Sequence, residues 1–183
     1  MKKVKVLLAA VLSITVILGT AAPTYAAEPV SEVKIAIEAT DMNVSVTVPS
    51  TLPIIFNADG SNTIPDNWTI ENVSALAGIH LTNVHLNGNG SGWKVVNDSS
   101  IVKTQAVNGK AVKFFVGVPG TMKLVEPKSG SENEAGTASF DADDICIASG
   151  AEKTLNFTVE RGAFTETTAS AKAFSMTLDF AFN

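Results

Sequence analysis

Disulfides are the first thing the chain lacks. Cys146 is the single cysteine among 183 residues, so no intramolecular bridge can staple the fold. Stability must come from a core. Cys146 stands between Ile145 and Ile147, a setting that predicts a small buried hydrophobe; in an exported chain the other reading is a reactive or intermolecular thiol. Basic clusters are missing too, with 13 Lys and Arg against 18 Asp and Glu and a formal charge of −5. Nucleic acid and anionic lipid both reward a basic patch, so neither is an expected partner. Histidine occurs only as His80 and His85, with no cysteine pair or further histidine beside them. No metal site and no cofactor is therefore expected. Helical periodicity is absent beyond the first residues, and so is any later apolar run approaching the ~20 residues of a membrane span.

What is present begins with an export pattern. Lys2, Lys3 and Lys5 precede a short apolar run, Val6 to Gly19, broken only by Ser13 and Thr15. Pro23 follows, and the small residues Thr24 and Ala26 flank Tyr25. This is the three-part layout of a secretory signal peptide cut after Ala26. Residues 1–26 are then a leader and residues 27–183 one domain. Losing three lysines leaves 10 basic residues against 18 acidic ones, a formal charge of −8 over 157 residues. A domain of that size buries ~70% of its unfolded surface. No cysteine follows the cut to carry lipid, and Asp179 to Asn183 supplies no basic tail. Any attachment to a wall is accordingly expected to be non-covalent.

Period-two alternation dominates the rest. Val33, Ile35, Ile37 and Ala39 alternate with Glu32, Lys34, Glu38 and Thr40, and Val44, Val46 and Val48 with Ser45 and Thr47 up to Pro49. Leu52 to Phe56 is a short apolar strand whose Pro53 suggests an edge position, and Trp68 to Asn72 resumes the alternation. In Ile79 to Leu86 the parity changes partway: Ile79 and Leu81 share one phase, Val84 and Leu86 the other. One extra residue near Thr82-Asn83, a β-bulge, reconciles them. Ile101–Val107 and Ala111–Val118 flank Asn108-Gly109, which predicts a hairpin. Glu126 to Thr137 is polar and predicts an exposed, mobile loop. Leu155, Phe157 and Val159 form another strand, and Phe174, Met176, Leu178, Phe180 and Phe182 close the chain on one face of a last strand. The fold class is all-β: a single β-sandwich, immunoglobulin-like or related, of about nine or ten short strands.

Chemistry-bearing groups are sparse. His80 and His85, five apart on a strand, take opposite faces unless the bulge realigns them. Asn57, Asp59 and Ser61 resemble part of a calcium loop, but the distal bidentate acid is missing. Asp141, Asp143 and Asp144 are a second acidic group, read with Glu132 and Glu134 either as a calcium site or as a solvated turn. Ser31 and Lys34 have Ser-x-x-Lys spacing without the helix start that chemistry needs. No catalytic residue is assigned. Trp68 and Trp93 share parity with Ile70 and Val95, which predicts core positions rather than sugar-stacking ones.

Two segments carry a family likeness. Val44 to Phe56 resembles the opening strand pair of WxL-type surface domains of Gram-positive bacteria, and Gly90-Ser91-Gly92-Trp93-Lys94-Val95 is similar to their first Trp-x-Leu motif, with Val95 for Leu. The second motif is absent from Thr177-Leu178-Asp179-Phe180. The resemblance implies a non-covalently wall-attached domain. The expected function is a secreted, non-catalytic cell-surface protein whose partner is the cell wall (peptidoglycan) or other surface proteins. The alternatives are a fibre or matrix subunit assembling by edge-strand addition, and a carbohydrate-binding or calcium-dependent adhesion module.

Overall fold

Residues 12–19, 37–39, 42–57, 59–74, 77–88, 90, 92–165 and 172–183 are described in the computed structural model. Pro, Gly and Asn punctuate the chain so often that many of its strands are only two or three residues long. The first are β1 (Leu12–Gly19), β2 (Ile37–Ala39) and β3 (Met42–Val44). Next come β4 (Val46–Thr47), followed by Pro49, then β5 (Ile55–Phe56) and β6 (Asn62–Thr63), which pair across the Asn57–Ser61 turn. β7 (Thr69–Asn72) and β8 (Ile79–Asn87) follow, then β9 (Lys94–Val96). A short helix α1 (Ser99–Thr104) leads to β10 (Ala111–Val118) and β11 (Thr121–Leu124). β12 (Glu126–Pro127), β13 (Glu132–Asn133) and β14 (Ala135–Ser139) come next. β15 (Cys146–Ile147), β16 (Glu152–Thr154), β17 (Asn156–Arg161) and β18 (Lys172–Phe182) complete the order.

The protein is an all-β sandwich. A six-stranded sheet runs β1-β18-β8-β14-β12, with β15 also on β8. A five-stranded sheet runs β11-β10-β9-β13, with β17 on β10; β16-β7-β4 form a smaller third. One continuous core takes side chains from all three: Leu81, Val84, Leu86, Met176 and Leu178 from the first, Val95, Phe114 and Val116 from the second, Ile70 from the third. Each side chain of this size contributes about 1.5–3 kcal/mol when fully buried.

The parity change in β8 is resolved as expected. Asp179 stands opposite Asn83 and Phe180 opposite Leu81, so Thr82 is the extra residue. Ile79 and Leu81 are buried before it, Val84 and Leu86 after it. The Thr82 carbonyl is satisfied by the Phe140 N–H (2.9 Å), and its hydroxyl donates to the Asp179 carbonyl (3.1 Å).

Other expectations fail for definable reasons. Ile101 to Val107 is not a hairpin arm: Ser99–Thr104 is helical, capped by Asp98, whose carboxylate accepts from the Ser100 N–H (2.7 Å). The two-residue hairpin turn needs positive φ at both centres, and only Asn108 has it (φ 64). The helix serves instead as the crossover that lets β9 and β10 pair in parallel. The hairpin sits at Pro119-Gly120, joining β10 to β11, with Gly120 at φ 89 as that turn requires. Glu126 to Thr137 is not a free loop either. Glu132 and Asn133 pair with Val96 and Val95, while Glu126 and Pro127 pair with Thr137 and Gly136. Phe182 is 37% exposed rather than buried, because β1 ends opposite Phe180 and does not reach it. Ser175 and Asp179, on the parity expected to face water, are buried at 9% and 7%. Of the expected strand Val33–Ala39, only Ile37–Ala39 falls within the described residues, where it pairs with Met42–Val44.

Candidate functional site

The bulge determines what the outer face of the six-stranded sheet displays. Without Thr82, the two histidines would point to opposite sides; with it, His80 and His85 both stand on the half-exposed parity. Three strands then line up polar positions in register. Thr177, His85 and Thr137 form one cross-strand row, and Asp179, Asn83 and Ser139 the next. Core residues occupy the alternate positions on all three strands, so this is the polar side of a half-buried sheet.

Direct bonds tie the rows together. His85 Nε2 lies 2.8 Å from Asp179 Oδ2, and its Nδ1 lies 2.8 Å from Thr137 Oγ1. In the neutral ring one nitrogen donates and the other accepts, so a ring donating to the carboxylate accepts from the hydroxyl. The Ser139 hydroxyl donates to Asn83 Oδ1 (2.9 Å). The His85 side chain remains 41% exposed while that of Asp179 is 10% exposed, so the imidazole covers the carboxylate. Hydroxyl, imidazole and carboxylate stand in the order of a nucleophile triad. Here, however, Thr137 lies between Glu126 and His85 in two antiparallel ladders, which commit the neighbouring backbone donors to strand pairing rather than to an oxyanion. The arrangement can hold polar ligands through side-chain amides, hydroxyls and an imidazole.

The remaining candidates are occupied structurally. Arg161 closes the Asn57–Ser61 turn: Nη2 donates to the carbonyls of Asn57 (2.6 Å) and Ser61 (3.0 Å), and Nε donates to Asn62 Oδ1 (2.8 Å). Its guanidinium lies over Phe56 at 4.9 Å and Phe164 at 5.6 Å. Burial pushes the guanidinium pKa down, opposed by the Asp59 charge. Asp59 itself is held below the usual carboxylate range by the Ser61 hydroxyl and N–H. The oxygen-rich spacing of Asn57, Asp59 and Ser61 thus surrounds a cation the chain already owns. In the acidic turn, Asp144 Oδ2 accepts from the Asp141 N–H (2.9 Å) and faces Lys123 Nζ at 3.2 Å. Among the described residues, no group of three His, Cys, Asp or Glu side chains is placed to hold a metal ion.

Trp68 and Trp93 are buried, at 2% and 6%. Trp68 Nε1 donates to the Thr51 carbonyl (3.1 Å), and Trp93 stacks on Phe164 at 5.8 Å with an interplanar angle of 13°. The Trp-Lys-Val segment therefore anchors an aromatic cluster. Cys146 overturns its expected burial. It is exposed, stands opposite His80, and donates from Sγ to the Ala142 carbonyl (3.0 Å). The buried positions on either side are Ile145 and Ile147, which alternation places on the opposite face. Ser31 and Lys34 lie outside the described residues. Sequence reasoning missed the His85–Asp179–Thr137 cluster, which bridges the two rows; its signal was the bulge combined with the polar parity of the closing strand.

No family model matches the chain, and neither a curated protein nor a solved structure matches it. Among the described residues no helix is long and apolar enough to cross a membrane.

Proposed function

We propose that this is an exported, non-catalytic protein that associates non-covalently with the cell wall of a Gram-positive bacterium. Its leader pattern, Lys2 to Ala26, supports export, and its resemblance to WxL-type domains supports the wall as partner. The observation that carries the reading is the polar outer face of the six-stranded sheet. Asn87 and Ser139 are exposed there, and His85, Asn83 and Thr137 are partly so. This set of amide, hydroxyl and imidazole groups complements a polymer of sugars and short peptides. At a formal charge of −8 the exported domain gains nothing from long-range attraction to anionic wall polymers, so recognition rests on these local contacts.

Sedimentation with isolated walls tests it. Exported protein at micromolar concentration should pellet with the walls and be released by denaturant but not by reductant. Asn87→Asp with Ser139→Asp should weaken retention several-fold by adding charge to the contact face. Absence of pelleting would sink the wall reading. Retention unchanged by the paired substitution would place the contact on another surface.

A further inference from the structure

Strand β18 has a neighbour on each side, β8 along one edge and β1 along the other. β1 lies wholly within residues 1–26, so a chain cut after Ala26 loses it. We propose that the vacated edge of β18 is a docking site for residues 33–39 of a second copy of this chain. Exported subunits then join by strand addition. The inference rests on the leader reading given above.

The uncut chain shows what the edge accepts. Leu12, Ile14, Val16 and Leu18 stand opposite Phe180, Leu178, Met176 and Phe174, while Ser13 and Thr15 stand opposite Asp179 and Thr177. Pairing is continuous from Leu12 to Leu18. The bulge at Thr82 belongs to β8, and the other edge of β18 stays regular from Phe174 to Phe180, its register shifting only at Ala173. Left bare, a long regular strand with this apolar parity is a template for pairing with another chain.

Residues 33–39 repeat the leader's alternation. Run in the same direction with Val33 opposite Phe180, they bring Ile35, Ile37 and Ala39 opposite Leu178, Met176 and Phe174. In that register Lys34 falls opposite Asp179, a charge match on the polar parity. A shift by two residues puts Lys34 opposite Thr177 or Ala181, and a shift by one sets both Ile35 and Ile37 opposite polar residues of β18. The charge pair thus selects one register among those that alternation permits.

A second copy is the fitting donor because of where the segment is tied at home. In its own subunit Ile37–Ala39 pairs with Met42–Val44, and two residues on Val46 enters the small β16-β7-β4 sheet. The vacant edge belongs to the six-stranded sheet instead. Donation exchanges three paired positions with β3 for a strand running along β18. Until the cut is made, the leader occupies the edge and keeps the subunit closed.

Exported protein carrying Lys34→Cys and Asp179→Cys in a Cys146→Ser background tests this directly. It is sequenced from its N-terminus, sized by light scattering, and run without reductant. A start at Ala27, multimers, and a ladder of chains linked through positions 34 and 179 support the proposal. A monomer starting at Ala27 overturns it and leaves the export reading standing. A link closed within one chain overturns it too, since the subunit then fills its own edge. A start at Met1 overturns the leader reading and the proposal together. If the paired substitution prevents folding, Ile35→Lys in the otherwise unaltered chain decides: the proposal expects monomers that still unfold in one cooperative transition, at a midpoint lowered by the lost association, and persisting multimers overturn it.

Discussion

Asn72 shows how much one buried polar residue organises here. It is fully buried in β7, and its Nδ2 donates to the carbonyls of Ala77 (2.8 Å), Ile147 (3.1 Å) and Ala148 (3.2 Å). Its Oδ1 accepts from the Ser74 N–H (3.1 Å). Asn72→Ala should cost about 1–3 kcal/mol for each buried group left without a partner, read as a lowered urea midpoint with an unchanged slope. A loss below ~0.5 kcal/mol, the range of an ordinary surface change, would contradict that role. Exposed carboxylates set the acid limit. Asp98 is held below its usual value of 3.8 by the Ser100 N–H, Asp144 by the Asp141 N–H, and Asp59 by the Ser61 hydroxyl. Each folded carboxyl therefore stays ionised at pH values where the unfolded chain already binds a proton. Their contribution is fully present above the unfolded value and is lost as pH falls through the folded one. Stability should decline below about pH 4 for this reason. Asp98→Asn keeps a capping acceptor but cannot titrate, so its stability should fall less steeply with acid; an identical slope would show that the cap is not formed.

At the scale of elements, β18 yields the sharpest contrast. Leu178 is 0% exposed and Phe182 37%, although they share one parity of the same strand. Leu178→Ala should cost about 2–5 kcal/mol through lost burial and the cavity left behind. Phe182→Ala and Thr177→Ala should each stay within ~1 kcal/mol, the range of strand propensity and cross-strand pairing. Chemical denaturation of the variants measures all of them, and equal losses at 178 and 182 would mean the strand's end is packed as tightly as its middle. What the sequence made legible here was parity. Parity located the closing strand, the core positions of Trp68 and Trp93, and the bulge at Thr82, because burial on one face imposes a period of two. Parity does not reveal which strands flank a strand, so the burial of Ser175 and Asp179 under the neighbours of β18 was hidden. The misreading of Ile101 to Val107 came from Asn108-Gly109 instead, and the structure places there a helix capped by Asp98. Asn108-Gly109 is a local pattern and does not reveal that β9 and β10 pair in parallel, which requires a crossover. The polar cluster of the candidate site was legible only in part. His85 was visible as a residue, but its partners Thr137 and Asp179 lie 52 and 94 positions away in sequence.

For the whole molecule, the topology makes folding wait for the chain's end. β8 carries β14 and β15 along one edge and receives β18, some ninety residues later, on the other. Pairings this distant are slow to form, because loop closure precedes any gain from the contact. The end is then fastened: the Asn183 N–H donates to the Gly78 carbonyl (3.1 Å), and Asn183 Oδ1 lies 2.7 Å from His80 Nδ1. Two truncations separate fastening from closure. Removing Phe182 and Asn183 deletes the fastening and an exposed side chain, so the product should still unfold cooperatively, with a midpoint lowered by a few degrees. Removing Phe180 to Asn183 also takes the 3%-exposed Phe180 from the core and bares Ile79, His80 and Leu81 along β8. That product should keep its far-ultraviolet circular dichroism, bind a hydrophobic dye, and lose the cooperative transition, as compact chains do when packing fails but strands persist. If both truncations unfold alike, the final two residues carry more of the closure than their exposure allows. If both remain cooperative, the core is already closed at Asp179, and the last turn of chain is an ornament on a finished sandwich.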